Sequence, residues 1–367
     1  MLDFHLDTVV KIGSRAMESL GAFAARRALV VTDEFLSGTP SFERMLGHLG
    51  DDVRIFRDVL PDPTVAVITR GVAAYLDARP DVVVAYGGGS VLDTAKAMHK
   101  AALDAGFGAA EGIVAIPTTS GSGSEVTSFA VITDESTHTK VPITSRDMVA
   151  RLAILDPEVV AAMPPSLTAD SGMDALTHAV EAYVSRGACD FSDALAEKAV
   201  ALIFEYLPRC FTDGQDLDAR GHVHNAASLA AMAFDNVGLG ITHSLAHAIG
   251  GHFPVAHGRL NAMLLAHVIR FNAERCPIAR QRYAALGRIV APSVQGDAGV
   301  TALIGALARL NDALGIPPTV ADAGVDVQSY REVVAEMAET ALVDQCTATN
   351  PAAATRDDLV LLLRKLG

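Results

Sequence analysis

The stretch 81–104 constrains this chain more than any other. DVVVAYGGGS (81–90) reads as a buried strand running into a glycine turn, and VLDTAKAMHKAAL after it has helical spacing. GIVAIPTTSGSGSEVT (112–127) repeats the start of that unit, a strand leading into a Gly/Ser/Thr-rich loop. ALVVTD (28–33) is a further β-branched strand, ending in an acid. Strands alternating with helices predict a parallel sheet covered by helices on both faces.

After about residue 157 the β signal fades. Asp156-Pro157 and Pro164-Pro165 punctuate the change. Beyond them, Ala- and Leu-rich segments with helical spacing dominate, as in SDALAEKAVALIFEYL (192–207) and HNAASLAAMAF (224–234). The expected organisation is an α/β nucleotide-binding domain over 1–157 and an all-helical metal-binding and catalytic domain over 158–367. A chain of 367 residues, half of them hydrophobic and a fifth charged, can build two cores and is not a disordered composition. No internal repeat or long linker interrupts it, so the domains are expected to pack rigidly around a cleft.

The formal net charge of −14 argues against nucleic acid or an anionic membrane as partner. The start, MLDFHLDTVVKIG, lacks the basic and apolar regions of a secretory signal. The four cysteines lie far apart and form no CxxC. Both point to reduced thiols in the cytoplasm.

In the N-terminal half, Gly87-Gly88-Gly89-Ser90 lets backbone approach a pyrophosphate, and the first amides of the following helix offer donors and a positive dipole end. A plain tight turn is the bland reading. Thr118 to Ser124 adds hydroxyls at the end of a neighbouring strand, at the sheet edge where ligands bind. Asp33 could hold ribose hydroxyls and repel a 2′-phosphate, favouring NAD over NADP; it could equally cap a helix. The G-x-G-x-x-G fingerprint is absent and the acid precedes the glycines, so the common Rossmann arrangement is excluded.

In the C-terminal half, six of the twelve histidines fall between 223 and 267. Asp174 and His178 are spaced i, i+4, and His243 and His247 repeat that spacing, so each pair shares a helix face. His257 follows a Gly/Pro-containing turn. One histidine in an apolar helix is usually a satisfied core residue. Two such pairs and a third histidine favour a borderline divalent metal, because burying that many polar rings without partners is costly.

Read in order, VTD (31–33), PDPT (61–64), GGGSVLDTAKA (87–97), PTTSGSGSEVT (117–127), LDP (155–157), GMDALTHAVEAY (172–183), GLGITHSLAHAIGG (238–251) and AHGRLNA (256–262) resemble the iron-containing (group III) alcohol dehydrogenase family. The tract DFSDALAEKAVALIFEYLP (190–208) further resembles the propanol and ethanol dehydrogenases of propanediol- and ethanolamine-utilisation pathways. The resemblance implies a non-standard Rossmann-like domain followed by an all-α domain, as in the dehydroquinate synthase-like architecture. It implies that Asp174, His178, His243 and His257 bind Fe²⁺, with Zn²⁺ the alternative, and that His247 stands beside the metal facing the nicotinamide. Asp33, Gly88, Gly89, Ser90, Thr118, Thr119, Thr127 and Lys140 match nucleotide contacts. Phe129, Phe234 and Cys346 match pocket positions. Asp62 departs from the family's frequent Asn, and Phe129 is polar in some members.

The implied activity is interconversion of small primary alcohols and aldehydes with NAD(H), in the direction of propanal or acetaldehyde reduction. His247 would relay the released proton, or else merely orient a ligand. The implied partners are the small substrate, further copies of the chain in a homodimer or higher oligomer, and a metabolic compartment. Rival readings are a glycerol or other polyol dehydrogenase of the same superfamily, and a non-catalytic partner of such a compartment.

Overall fold

The computed structural model describes residues 3–135 and 139–367. The chain folds as two compact units, one of residues 5–163 and one of the N-terminal stub with 164–367. The division lies a few residues past 157, because Val159, in the short helix Pro157–Val160, belongs to a core cluster of the N-terminal unit.

In the N-terminal unit six strands form one sheet: β1 (Val9–Ile12), β2 (Ala28–Val31), β3 (Val53–Phe56), β4 (Val82–Gly87), β5 (Ile113–Pro117) and β8 (Leu152–Leu155). Their order is β1-β8-β5-β4-β2-β3 and every pair is parallel. All six residues of β4 are buried, as a central strand covered on both faces requires. Alternate residues feed opposite cores. Leu29, Val31, Val83 and Ala85 enter one cluster, while Ala28, Val30, Val82, Val84 and Tyr86 enter the other. β6 (Phe129–Asp134) and β7 (Thr139–Thr144) form a separate antiparallel pair.

Among its described residues the C-terminal unit has helices joined by turns and loops, and no strand. Its longest helices are Pro165–Val184, Asp190–Thr212 and Leu217–Val237. The first is buried from Gly172 through Val184 without a break, so it is central to the unit. Ile241–His252 and His257–Arg275 complete the part that carries the histidines. No described helix is long and apolar enough to cross a membrane.

Candidate active site

The glycine turn is tight because its surroundings leave no room for side chains. A Cβ on Gly87 would lie 2.4 Å from Val91, and one on Gly89 would lie 3.0 Å from Ser122 Oγ. Gly88 precedes the helix Gly89–Asp104 and packs beside Thr119. The Thr118 amide donates to the Gly87 carbonyl at 3.0 Å. The ends of β4 and β5 therefore bring Gly88, Gly89, Ser90, Thr118 and Thr119 together as one cradle at a helix N-terminus, the arrangement suited to a phosphate.

Beneath it lies a feature that sequence reading missed. Lys96 is 2 % exposed, and its Nζ donates among Ser124 O (2.7 Å), Ser124 Oγ (3.0 Å), Thr127 Oγ1 (3.0 Å) and Phe129 O (2.7 Å). Asp93 Oδ1 accepts from Ser124 Oγ at 2.6 Å and its Oδ2 from the Val131 amide at 2.9 Å. These bonds tie the glycine helix to the Ser/Thr loop. The signal was present in LDTAKA, where Asp and Lys stand three apart on an otherwise apolar helix. Thr127 thus turns its hydroxyl inward, and Phe129 is half-buried at the start of β6. Asp33 is a helix cap, one oxygen accepting from the Leu36 amide at 2.7 Å. Lys140 pairs with Asp62 at 2.7 Å, and Asp62 has a left-handed backbone (φ 53).

In the C-terminal unit, Asp174 is the hub of the cluster. Its Oδ1 lies 3.5 Å from His257 Nε2 and 3.8 Å from His243 Nε2, and its Oδ2 lies 4.0 Å from His178 Nε2. The rings of His178 and His243 stack at 4.6 Å. Glu181, one turn past His178, accepts from the Gly240 amide (2.9 Å), the Thr242 amide (2.7 Å) and His243 Nδ1 (2.7 Å). It therefore anchors the start of the helix Ile241–His252 and turns His243 Nε2 toward Asp174.

Burial works to raise the pKa of both carboxyls, but the surrounding imidazoles outweigh it at Asp174, and His243 and Thr242 do so at Glu181; both are held below the usual range. Burial lowers His243, yet bonds to Asp174 and Glu181 overcome it and hold the ring up at about 9. Burial keeps His257 well below its ordinary value.

Asn261 completes the cluster and was not foreseen. Its Nδ2 lies 2.8 Å from Asp174 Oδ1, 3.1 Å from His243 Nε2 and 3.1 Å from His257 Nε2, while its Oδ1 is buried without a hydrogen-bond partner. A carboxylate oxygen and two ring nitrogens converge on this one amide nitrogen. A cation among them would serve all three, so the donor set fits a borderline divalent metal.

His247 lies one turn past His243, its ring stacked on His257 at 5.1 Å. Its Nδ1 is 2.9 Å from Asp344 Oδ2. Phe234 is buried with its ring 4.5 Å from that of His178. Cys346 is buried beside Asp344, and burial first, then the neighbouring carboxylates, hold its thiol well above the ordinary value. The cluster of His247, Asp344 and Cys346 has its potential ligand atoms within 4.8 Å of one another.

Two family descriptions match the chain. "Iron-containing alcohol dehydrogenase" covers residues 8–157, and "Fe-containing alcohol dehydrogenase family, C-terminal" covers 168–367. The 1-propanol dehydrogenase PduQ of Citrobacter freundii is 42% identical, with 100% of each chain covered. The NAD-dependent methanol dehydrogenase of Bacillus methanolicus is 37% identical, with 99% of each chain covered. Among solved structures, a 1,3-propanediol oxidoreductase superposes with a TM-score of 0.93 at 33% identity, covering 100% of both chains. The chain belongs to the iron-containing alcohol dehydrogenase family. It is an oxidoreductase that interconverts alcohols and aldehydes, with iron and NAD(H) as the family's cofactors.

Proposed function

We propose that the substrates are small primary alcohols and their aldehydes, that aldehyde reduction is the working direction, and that Asp174, His178, His243 and His257 hold the metal. The observation that carries the ligand assignment is the convergence of Asp174 Oδ1, His243 Nε2 and His257 Nε2 around a single point. Phe234 against His178 gives the cluster an apolar neighbour, suited to an alkyl chain rather than a charged substrate. The name of the 42% identical relative, a 1-propanol dehydrogenase, supports a three-carbon substrate. A diol or hydroxyaldehyde is the second reading, favoured by the structural likeness to a 1,3-propanediol oxidoreductase. The intact donor set speaks against a non-catalytic role.

When bound, the metal supplies Lewis acidity at the reacting oxygen and NAD(H) carries the hydride. The protein's own residues do the rest. The glycine cradle with Thr118 and Thr119 holds the diphosphate, and Asp33 takes the ribose. His247, held off the cluster by its bond to Asp344, accepts the alcohol proton at Nε2 or returns it to the nascent alcohol.

The test is a panel of C2–C4 alcohols, diols and aldehydes read by NADH absorbance, run beside metal analysis of wild type and His243→Ala. The variant should keep its fold and lose both metal and nearly all turnover. Stoichiometric iron or zinc retained in His243→Ala would refute the ligand set. A panel led by glycerol or 1,3-propanediol would replace the primary reading with the second.

A further inference from the structure

We infer that Asp344 is a positioning residue that fixes the tautomer of His247, leaving Nε2 as the ring's proton-accepting atom. The inference rests on the reading of His247 as the proton relay. Asp344 stands where the helix Val327–Val343 gives way to the 3-10 turn Gln345–Thr349. Its Oδ1 accepts from the Cys346 amide at 2.8 Å and from Ser244 Oγ at 3.2 Å; Thr347 Oγ1 donates in turn to Ser244 Oγ at 2.8 Å. Ser244 lies on the same helix as His247, three residues earlier, so both side chains meet the carboxylate from one face. Capping the turn accounts for Oδ1 alone, and a serine or asparagine would do it as well. It does not account for Oδ2, which lies 2.9 Å from His247 Nδ1.

A carboxylate only accepts, so Nδ1 carries the hydrogen and the lone pair is left on Nε2. Burial raises the Asp344 carboxyl, but the bonds from His247 and the Cys346 amide bring it down to about 2, so it stays ionised. The same device operates one turn earlier on that helix, where Glu181 holds His243 Nδ1 at 2.7 Å and frees its Nε2 for the metal cluster. Two histidines on one helix are thus oriented by two carboxylates from other elements, one toward metal binding and one toward proton transfer. In alcohol oxidation the hydride leaves for NAD⁺ and the hydroxyl proton moves to Nε2, the resulting imidazolium lying against Asp344. Reduction returns that proton and the hydride.

Asp344→Asn separates the two roles. The amide oxygen still caps the turn, but its NH₂ faces Nδ1 and forces the hydrogen onto Nε2. The experiment uses zinc-loaded protein with ¹⁵N-labelled histidine, the His247 resonances being assigned by their loss in His247→Gln. Wild type should show the Nδ1–H form and Asp344→Asn the Nε2–H form. With melting temperature, metal content and NADH affinity retained, kcat should fall on the order of 10²–10⁴-fold. Asp344→Ser, which caps the turn but is too short to reach the ring, should also lose turnover while keeping metal. An Nε2–H tautomer in wild type overturns the inference, as does an Asp344→Asn defect that is fully explained by lost metal. Full turnover in Asp344→Asn with loss in His247→Gln overturns it and leaves the relay standing. Full turnover in both removes the relay, and the inference with it.

Discussion

Gly258→Ala should damage the proposed metal site without replacing any of its four proposed ligands. A Cβ at residue 258 would lie 2.0 Å from the Asp170 carbonyl oxygen, 2.7 Å from its carbon and 3.0 Å from Asp174 Cβ. Those atoms belong to the backbone of the neighbouring helix and to a ligand's own stem, so no rotamer relieves the overlap. Ordinary contact begins near 3.4 Å, so the helices Pro165–Val184 and His257–Arg275 must part by about an ångström. Asp174 and His257 ride on those two helices, their nearest ligand atoms 3.5 Å apart. Overpacking of this kind costs about 1–3 kcal/mol, and a rigid backbone obstacle puts the change at the upper end. In a unit of this size that lowers the melting temperature by roughly 4–10 °C. The displaced ligands should weaken metal binding on the order of 10–100-fold, the loss typical when a ligand's support is disturbed. Thermal melts and metal content after dialysis against a graded chelator series would measure both. A variant with wild-type melting temperature and metal affinity would refute the argument that this close approach builds the site.

Two further outcomes follow from single residues. Asp33→Gly should raise NADPH use relative to NADH about five- to tenfold, since it removes a like charge worth about 1 kcal/mol near a 2′-phosphate. Glycine costs only a few tenths of a kcal/mol as a helix cap, so stability should hardly change; an unaltered cofactor ratio would show that Asp33 is a cap and nothing more. His224 is 1 % exposed, and burial, aided by the Arg220 charge, pushes its pKa down to about 3. Its neutral form is the one the fold accepts. The stability it contributes is whole above an unfolded pKa near 6.5 and is lost as pH falls from there toward about 3. Between pH 7 and pH 5, urea unfolding of wild type should lose about 2 kcal/mol more than that of His224→Gln. Equal losses in the two would sink this assignment.

Much of the fold, and the residue types of the proposed metal cluster, could be read along the chain. β4 needed only its own apolar run and the glycines after it. The i, i+4 spacing of Asp174 with His178, and of His243 with His247, reports a helix face before any packing is known, because helical periodicity is local. The same reasoning could not see Glu181, Asn261 or Asp344 as parts of the site. Each was an ordinary polar residue in a helix or at its end, and each gained its role from a partner elsewhere: Glu181 from His243, Asn261 from Asp174, Asp344 from His247. Lys96 was in plain view, but its burial depends on a loop thirty residues onward closing over it.

By itself the sequence determined the order of elements, the parallel sheet, the helical second half and the residue types able to bind a metal, since these follow from periodicity, turn chemistry and side-chain donors. Only the tertiary structure decided which carboxylate faces His243, which faces His247, and how closely the helices Pro165–Val184 and His257–Arg275 approach. Those properties belong to pairs of atoms remote along the chain, and chain-local physics says nothing about a distance that only packing sets.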